Sequence, residues 1–204
     1  MTKYLSTPCT AFSGTRRLAS GALIDVALAI KATQAETQGP VLTFDDASGA
    51  VIDLDLRGST AEIVTRLSEY GELEALVAKT RGEHERAASR SRGRPKLGVV
   101  AREVTLLPRH WEWLGGQAGG ASQALRRLVD EARRADGGKA DRKAAQERTY
   151  VFLSAIAGDL PGYEEAIRAL FADDADIFRD HMAAWPQDVR DHAMALARPK
   201  GHTP

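Results

Sequence analysis

One segment constrains this chain more than any other. Residues 99–134 read VVAREVTLLPRHWEWLGGQAGGASQALRRLVDEARR. The run 99–107 is rich in Val and Leu and reads as a strand. Pro108 suits a first helical position and opens a short helix carrying Trp111 and Leu114 at i, i+3. Gly119-Gly120 breaks the chain. Ser122 reads as the N-cap of a second helix, in which Leu125, Leu128, Val129 and Ala132 form one apolar stripe. Its other face carries Gln123, Arg126, Arg127, Asp130, Arg133 and Arg134. One strand and two helices of this size cannot bury a core alone, so the apolar stripes must be covered from outside the segment. A second copy of the chain is the expected cover.

The flanking sequence supplies two further units and defines an α+β fold. Residues 6–80 read as ββαββα. Two β-rich runs, 9–13 and 16–19, flank Gly14. Ser20 stands ahead of a helical pattern with Leu23, Ile24, Ala27, Leu28 and Ile30, and Gly39-Pro40 ends it. Residues 41–45 and 51–56 predict a second hairpin around Ala47-Ser48-Gly49, with Ile52, Leu54 and Leu56 on one side and Asp53 and Asp55 on the other. Ser59 or Thr60 caps a helix over 61–70. Residues 81–96 form a basic linker, and 97–136 the strand-helix-helix module. After Gly137-Gly138, residues 141–198 predict a C-terminal helical unit. Its helices lie near 142–157, 163–172, 176–184 and 187–197, with Phe152, Leu153, Ile156, Ile167, Leu170, Phe171, Phe178 and Leu196 as core.

Charge is uneven although the whole chain balances at 28 basic and 28 acidic residues. Residues 89–110 hold six basic side chains against Glu103, while 159–191 hold nine acids against three arginines. A basic centre with an acidic end fits a chain that binds an anion in one place. The single cysteine, Cys9, excludes an internal disulfide and points to a reducing, cytoplasmic compartment. No apolar run is long enough to span a bilayer, and residues 1–14 show no secretory pattern, so no membrane association is expected.

Strand, helix, Gly-x-Ser turn, helix is the order of the ribbon-helix-helix DNA-binding fold, and residues 99–134 resemble it. Leu107-Pro108 and Gly120-Ala121-Ser122 stand where such proteins commonly have L-P and G-x-S. The resemblance implies a strand paired with its copy from a second chain, forming a two-stranded ribbon narrow enough for a major groove. It also places amides near Ser122 against a phosphate. One face of the strand is Ala101, Glu103, Thr105 and Leu107; the other is Val100, Arg102, Val104 and Leu106. The family's groove face is usually polar and often basic, and this chain departs from that pattern. Just ahead, Arg92-Gly93-Arg94-Pro95-Lys96 resembles an AT-hook, whose arginines lie along a narrow A·T minor groove. Taken nearly end to end, the chain resembles an uncharacterised bacterial family, the domain of unknown function 2239. The blocks GRPKLGVVAREVTLLPRHWEWL (93–114), AGDLPGYEEAIRALFA (157–172) and WPQDVRDHA (185–193) carry that resemblance, which implies no particular activity.

The expected DNA-contacting residues are therefore Arg92, Arg94, Lys96, Arg102, Glu103, Thr105 and Ser122. Glu103 can accept from a cytosine amino group. The expected function is a homodimeric DNA-binding regulator. The alternative is a non-catalytic interaction module that uses the strand only to dimerise. No catalytic constellation, cofactor motif or metal-ligand spacing stands out. Asp176, Asp180, His181 and His192 are closest to a ligand set, and an acidic solvated face explains them more simply.

Overall fold

The computed structural model describes residues 3–34, 39–86 and 103–199. After a 3-10 turn at Lys3–Ser6 comes β1 (Pro8–Ser13), which turns at Gly14 into β2 (Arg16–Ala22). The turn needs Gly14, whose φ of 56° lies in the left-handed region. Helix α1 (Leu23–Thr33) then leads to β3 (Val41–Asp45) and β4 (Val51–Ile52), and α2 spans Thr60–Arg86. The sheet is antiparallel throughout, in the order β2-β1-β3-β4. The predicted ββαββα order is present.

Three local details differ from the sequence reading. Ser20 is not a helix cap. It lies in β2, where its hydroxyl meets that of Thr10 across the strands at 3.0 Å, and α1 starts three residues later. β4 is two residues long rather than six, yet Ile52, Leu54 and Leu56 still pack inward against the α1 side. Ser59 caps α2 through a reciprocal pair with Glu62, which donates its amide to the Ser59 hydroxyl and accepts from the Ser59 amide. The helix then continues to Arg86, into the segment expected as linker, because nothing in 71–86 breaks it.

Successive strand residues face opposite sides of the sheet. Cys9 and Ala11 point to α1 and pack with Leu23, Val26 and Ile30. Phe12 and Phe44 point the other way, into a core with the C-terminal helices. Those helices are α5 (Lys139–Ile156), α6 (Tyr163–Phe171), α7 (Ala175–His181) and α8 (Gln187–Leu196), close to the predicted spans. Phe152 meets Phe44 edge to face at 4.9 Å and Phe12 at 5.5 Å. The chain therefore folds as two units: residues 1–72 with 138–204, and residues 73–137. The sequence suggests separate units at 6–80 and 141–198; the structure joins most of the first to the second, because neither layer covers Phe12, Phe44 and Phe152 without the other.

Two buried polar groups sit at this junction. Arg148, 5% exposed, donates from Nε to the Leu196 carbonyl at 2.7 Å and from Nη2 to the Arg198 carbonyl. It thereby satisfies orphan carbonyls at the end of α8, where the helix dipole favours a cation. The Arg148 carbonyl in turn presses on the β3–β4 turn. A Cβ at Gly49 would lie 1.9 Å from that oxygen, so only glycine fits there. His192 is 6% exposed, packed edge to face on Phe12 and Phe152. Burial, then the charge of Arg17, pushes its pKa down to about 4, although Asp46 lies 3.6 Å away. Burial and then the carboxylates of Asp46 and Asp45 push the Cys9 thiol up to about 12, which leaves it neutral and unreactive.

Two predictions follow from this core. Leu170, 5% exposed, should cost about 2–5 kcal/mol when changed to alanine. Phe171, expected as core from its spacing, is 51% exposed, and Phe171→Ala should cost less than about 1 kcal/mol. Urea melts of the two variants distinguish these cases. His192 gains a proton on unfolding below its ordinary value near 6.5. Its contribution is thus complete above that pH and lost as pH falls toward 4, by an amount on the order of 3 kcal/mol. His192→Phe should flatten the stability profile between pH 6.5 and 4, read by denaturant melts across that range.

Candidate nucleic-acid interface

Within residues 73–137, the described part beyond α2 begins at Glu103. Residues 103–107 run in no strand and lead to α3 (Pro108–Gly115). Leu107 is extended, at φ −66° and ψ 151°, and its carbonyl accepts from the amides of His110 and Trp111. That is the usual entry to a helix with Pro at its first position. The chain then bends at Gly119 and Gly120, at φ 83° and 76°, into α4 (Gly120–Asp136). Gly119 is the N-cap of α4 and supplies no side-chain bond. Ser122 is therefore not the cap. It lies in the first turn of α4, exposed, because the helix starts three residues earlier than expected.

Very little holds α3 against α4. Leu114 and Ala124 are the buried residues among the described ones from 103 to 137. Arg127 adds one bond from Nη2 to the Gln117 side-chain oxygen at 3.3 Å. Val104, Leu107, Trp111, Trp113, Leu128 and Val129 are between 38% and 56% exposed. The stripe read from sequence is present and lies open in the single chain. Arg126, Arg127, Arg133 and Arg134 are all exposed on α4, with Arg127 3.8 Å from Glu131.

Of the expected contact residues, Glu103 and Thr105 are exposed in the stretch before α3, and Ser122 is exposed on α4. Arg92, Arg94, Lys96 and Arg102, with the AT-hook-like segment, lie outside the described residues. The structure adds the four arginines of α4 to the surface. They are visible in sequence as a polar helix face, and acids of the same unit offset them. Residues 73–137 carry 13 basic and 8 acidic side chains, a net +5; the rest of the chain carries 15 and 20, a net −5.

Residues 8–197 match the bacterial family described as an uncharacterized protein conserved in bacteria, DUF2239. The chain belongs to that family. No curated protein and no solved structure matches it. The DUF2239 span takes in the sheet, α3, α4 and the C-terminal helices, so both units are part of what the family shares. Among the described residues of this DUF2239 protein, no helix is long and apolar enough to cross a membrane. Nor do three or more His, Cys, Asp or Glu side chains converge as a metal-ligand group among them.

Leu114 is the large side chain buried between α3 and α4. Leu114→Ala should remove about 2–5 kcal/mol from a unit with little else buried. Amide hydrogen exchange should then accelerate across 108–136 and stay slow in β1, β3 and α5. Unchanged exchange in α3 and α4 would show that Leu114 does not anchor them.

Proposed function

We propose that this protein is a dimeric DNA-binding protein of the bacterial cytoplasm, a non-catalytic regulator that contacts DNA through residues 90–134. The observation that carries the reading is the separation of charge by folded unit. The unit holding α3 and α4 is +5 and the remainder −5, in a chain with no net charge. A unit of that sign attracts a polyanion, and the rest of the molecule repels one. The open apolar stripe at Val104, Leu107, Trp111, Leu128 and Val129 supports dimerisation, since a second copy placing the same residues against it would take both from water. The uncapped start of α4 supports phosphate contact near Ser122.

In this reading Arg92, Arg94 and Lys96 neutralise phosphates or enter an A·T minor groove. Arg102, Glu103 and Thr105 lie on a ribbon formed with the second chain. Sedimentation should give a dimer at micromolar concentration, and Val104→Pro should abolish it by removing a ladder amide. DNA affinity should fall with salt at about −0.9 in log–log slope per phosphate neutralised, and Arg92→Ala with Arg94→Ala should flatten that slope by about 2. Arg102→Ala or Thr105→Ala should relax preference at one base step by roughly 1–3 kcal/mol. A dimer that binds no DNA at low salt would sink the DNA reading and leave an interaction module built on the same strand.

A further inference from the structure

We propose that a cavity among the C-terminal helices is a binding site for a small carboxylate with an apolar tail. The cavity has a volume of about 220 Å³ and lies wholly within the unit made by the two ends of the chain. Leu170, Phe178, Met194 and Ala197 form its walls, and Arg142 and Arg198 stand at its mouth.

The gap is built rather than left over. Two side chains of α5, two residues apart, bond to helix ends that contribute to its lining. Gln146 donates from its side-chain amide to the Leu170 carbonyl at the end of α6, at 2.9 Å. Arg148 grips the Leu196 and Arg198 carbonyls at the end of α8. Both bonds tie helix ends beside the cavity to α5, and a buried polar group left without its partner is costly. At the rim, Asp173 has φ 60°, the one positive value for a non-glycine among the described residues. Asp173 ends α6 in this left-handed conformation, its amide donating to the Leu170 carbonyl and the Asp174 amide to the Ala169 carbonyl. The Asp173 carboxylate lies 3.8 Å from Arg142 Nε.

The charges at the mouth choose the ligand's sign. Asp173 faces Arg142, and Asp174 caps α7 by accepting from the Ile177 amide at 3.0 Å. The Arg198 guanidinium has no side-chain partner among the described residues. The acids are thus engaged while one cation is not, which favours an anionic group. A monoanion suits one open guanidinium and one shared with Asp173; a phosphate dianion asks for more donors than the mouth offers. The walls are apolar, and the volume is below the roughly 300–1,000 Å³ of sites for drug-sized molecules. Together these features describe a short alkanoate or aryl-alkanoate.

The test is calorimetric titration of the full-length protein, without DNA, with butanoate, hexanoate and octanoate, and with hexan-1-ol as the uncharged control. Because no DNA is present, the outcome is independent of the DNA-binding proposal. Affinity should rise by about fourfold per added methylene until the cavity is filled. Hexanoate should bind about tenfold more tightly than hexan-1-ol, and Arg198→Gln should remove most of that difference. Met194→Trp should block binding by filling the cavity. If that variant unfolds, Ala197→Leu serves in its place, with thermal melting as the check on folding. Absence of saturable binding at millimolar acid would overturn the proposal. So would equal binding of acid and alcohol, or undiminished binding to a folded variant with the cavity filled.

Discussion

Phe152 of α5 lies edge to face with Phe44 of β3, tilted against Phe12 of β1 and in contact with the ring of His192 on α8, all between 4.7 and 5.5 Å. Pairs of this geometry add roughly 0.5–1.5 kcal/mol each beyond the area they bury. More important is where the rings come from. Two belong to the first fifty residues and two to the last sixty. A sheet with α1 on one face leaves Phe12 and Phe44 in water on the other; α5 to α8 leave Phe152 exposed in the same way. Each half completes the other, and everything in 73–137 is in effect an insertion between them. Contacts closed over such a separation carry a large loop entropy, so folding of this unit has to wait for both ends.

The elements were more legible than their grouping. Hairpin residues around Gly14, the turn at Ala47-Ser48-Gly49 and the helical spacing of Phe152, Leu153, Ile156, Ile167 and Leu170 all predicted structure close to what forms, because local periodicity reports the buried face directly. Ser20 misled because a serine before an apolar helix satisfies the same pattern as a serine bonded across a strand pair. Phe171 misled because spacing alone did not choose between it and Leu170 for the buried face of α6. The shared core was not readable at all. Nothing in the sequence near Phe12 says that Phe152, rather than a nearer helix, will cover it.

The candidate interface was legible in the opposite sense. Its chemistry, arginines and an apolar stripe, stands in the sequence, and so does its net charge, since residues 89–110 and the unit 73–137 both come to +5. A window over 89–110 catches the basic linker and omits Arg126, Arg127, Arg133 and Arg134; the limits of the folded unit include them together with the acids that offset them. Residues 103–107 form no strand in the single chain. A ribbon needs a partner strand, and in the proposed function that strand comes from a second copy, so the unpaired run and the open stripe are the same requirement seen twice.

An acidic unit joined to a basic insertion also bears on how the proposed DNA binding would work in a protein with no net charge. Attraction between a uniform neutral body and a polyanion averages to nearly nothing beyond one Debye length, about 8 Å at physiological salt. In the proposed function, segregated charge gives the basic unit the attraction for DNA and the acidic unit the repulsion. In the proposed dimer, two basic units together carry +10, beside two acidic ones. The proposed affinity is then set by the insertion, and the orientation of encounter by the rest. Moving charge within the chain at constant net charge, for instance by exchanging Glu164 and Glu165 for lysine while replacing Arg133 and Arg134 by glutamate, should therefore weaken and slow DNA association, although the isoelectric point barely changes. Stopped-flow association at low and physiological salt measures that effect. Unaltered rates would mean that the separation of charge has no part in binding.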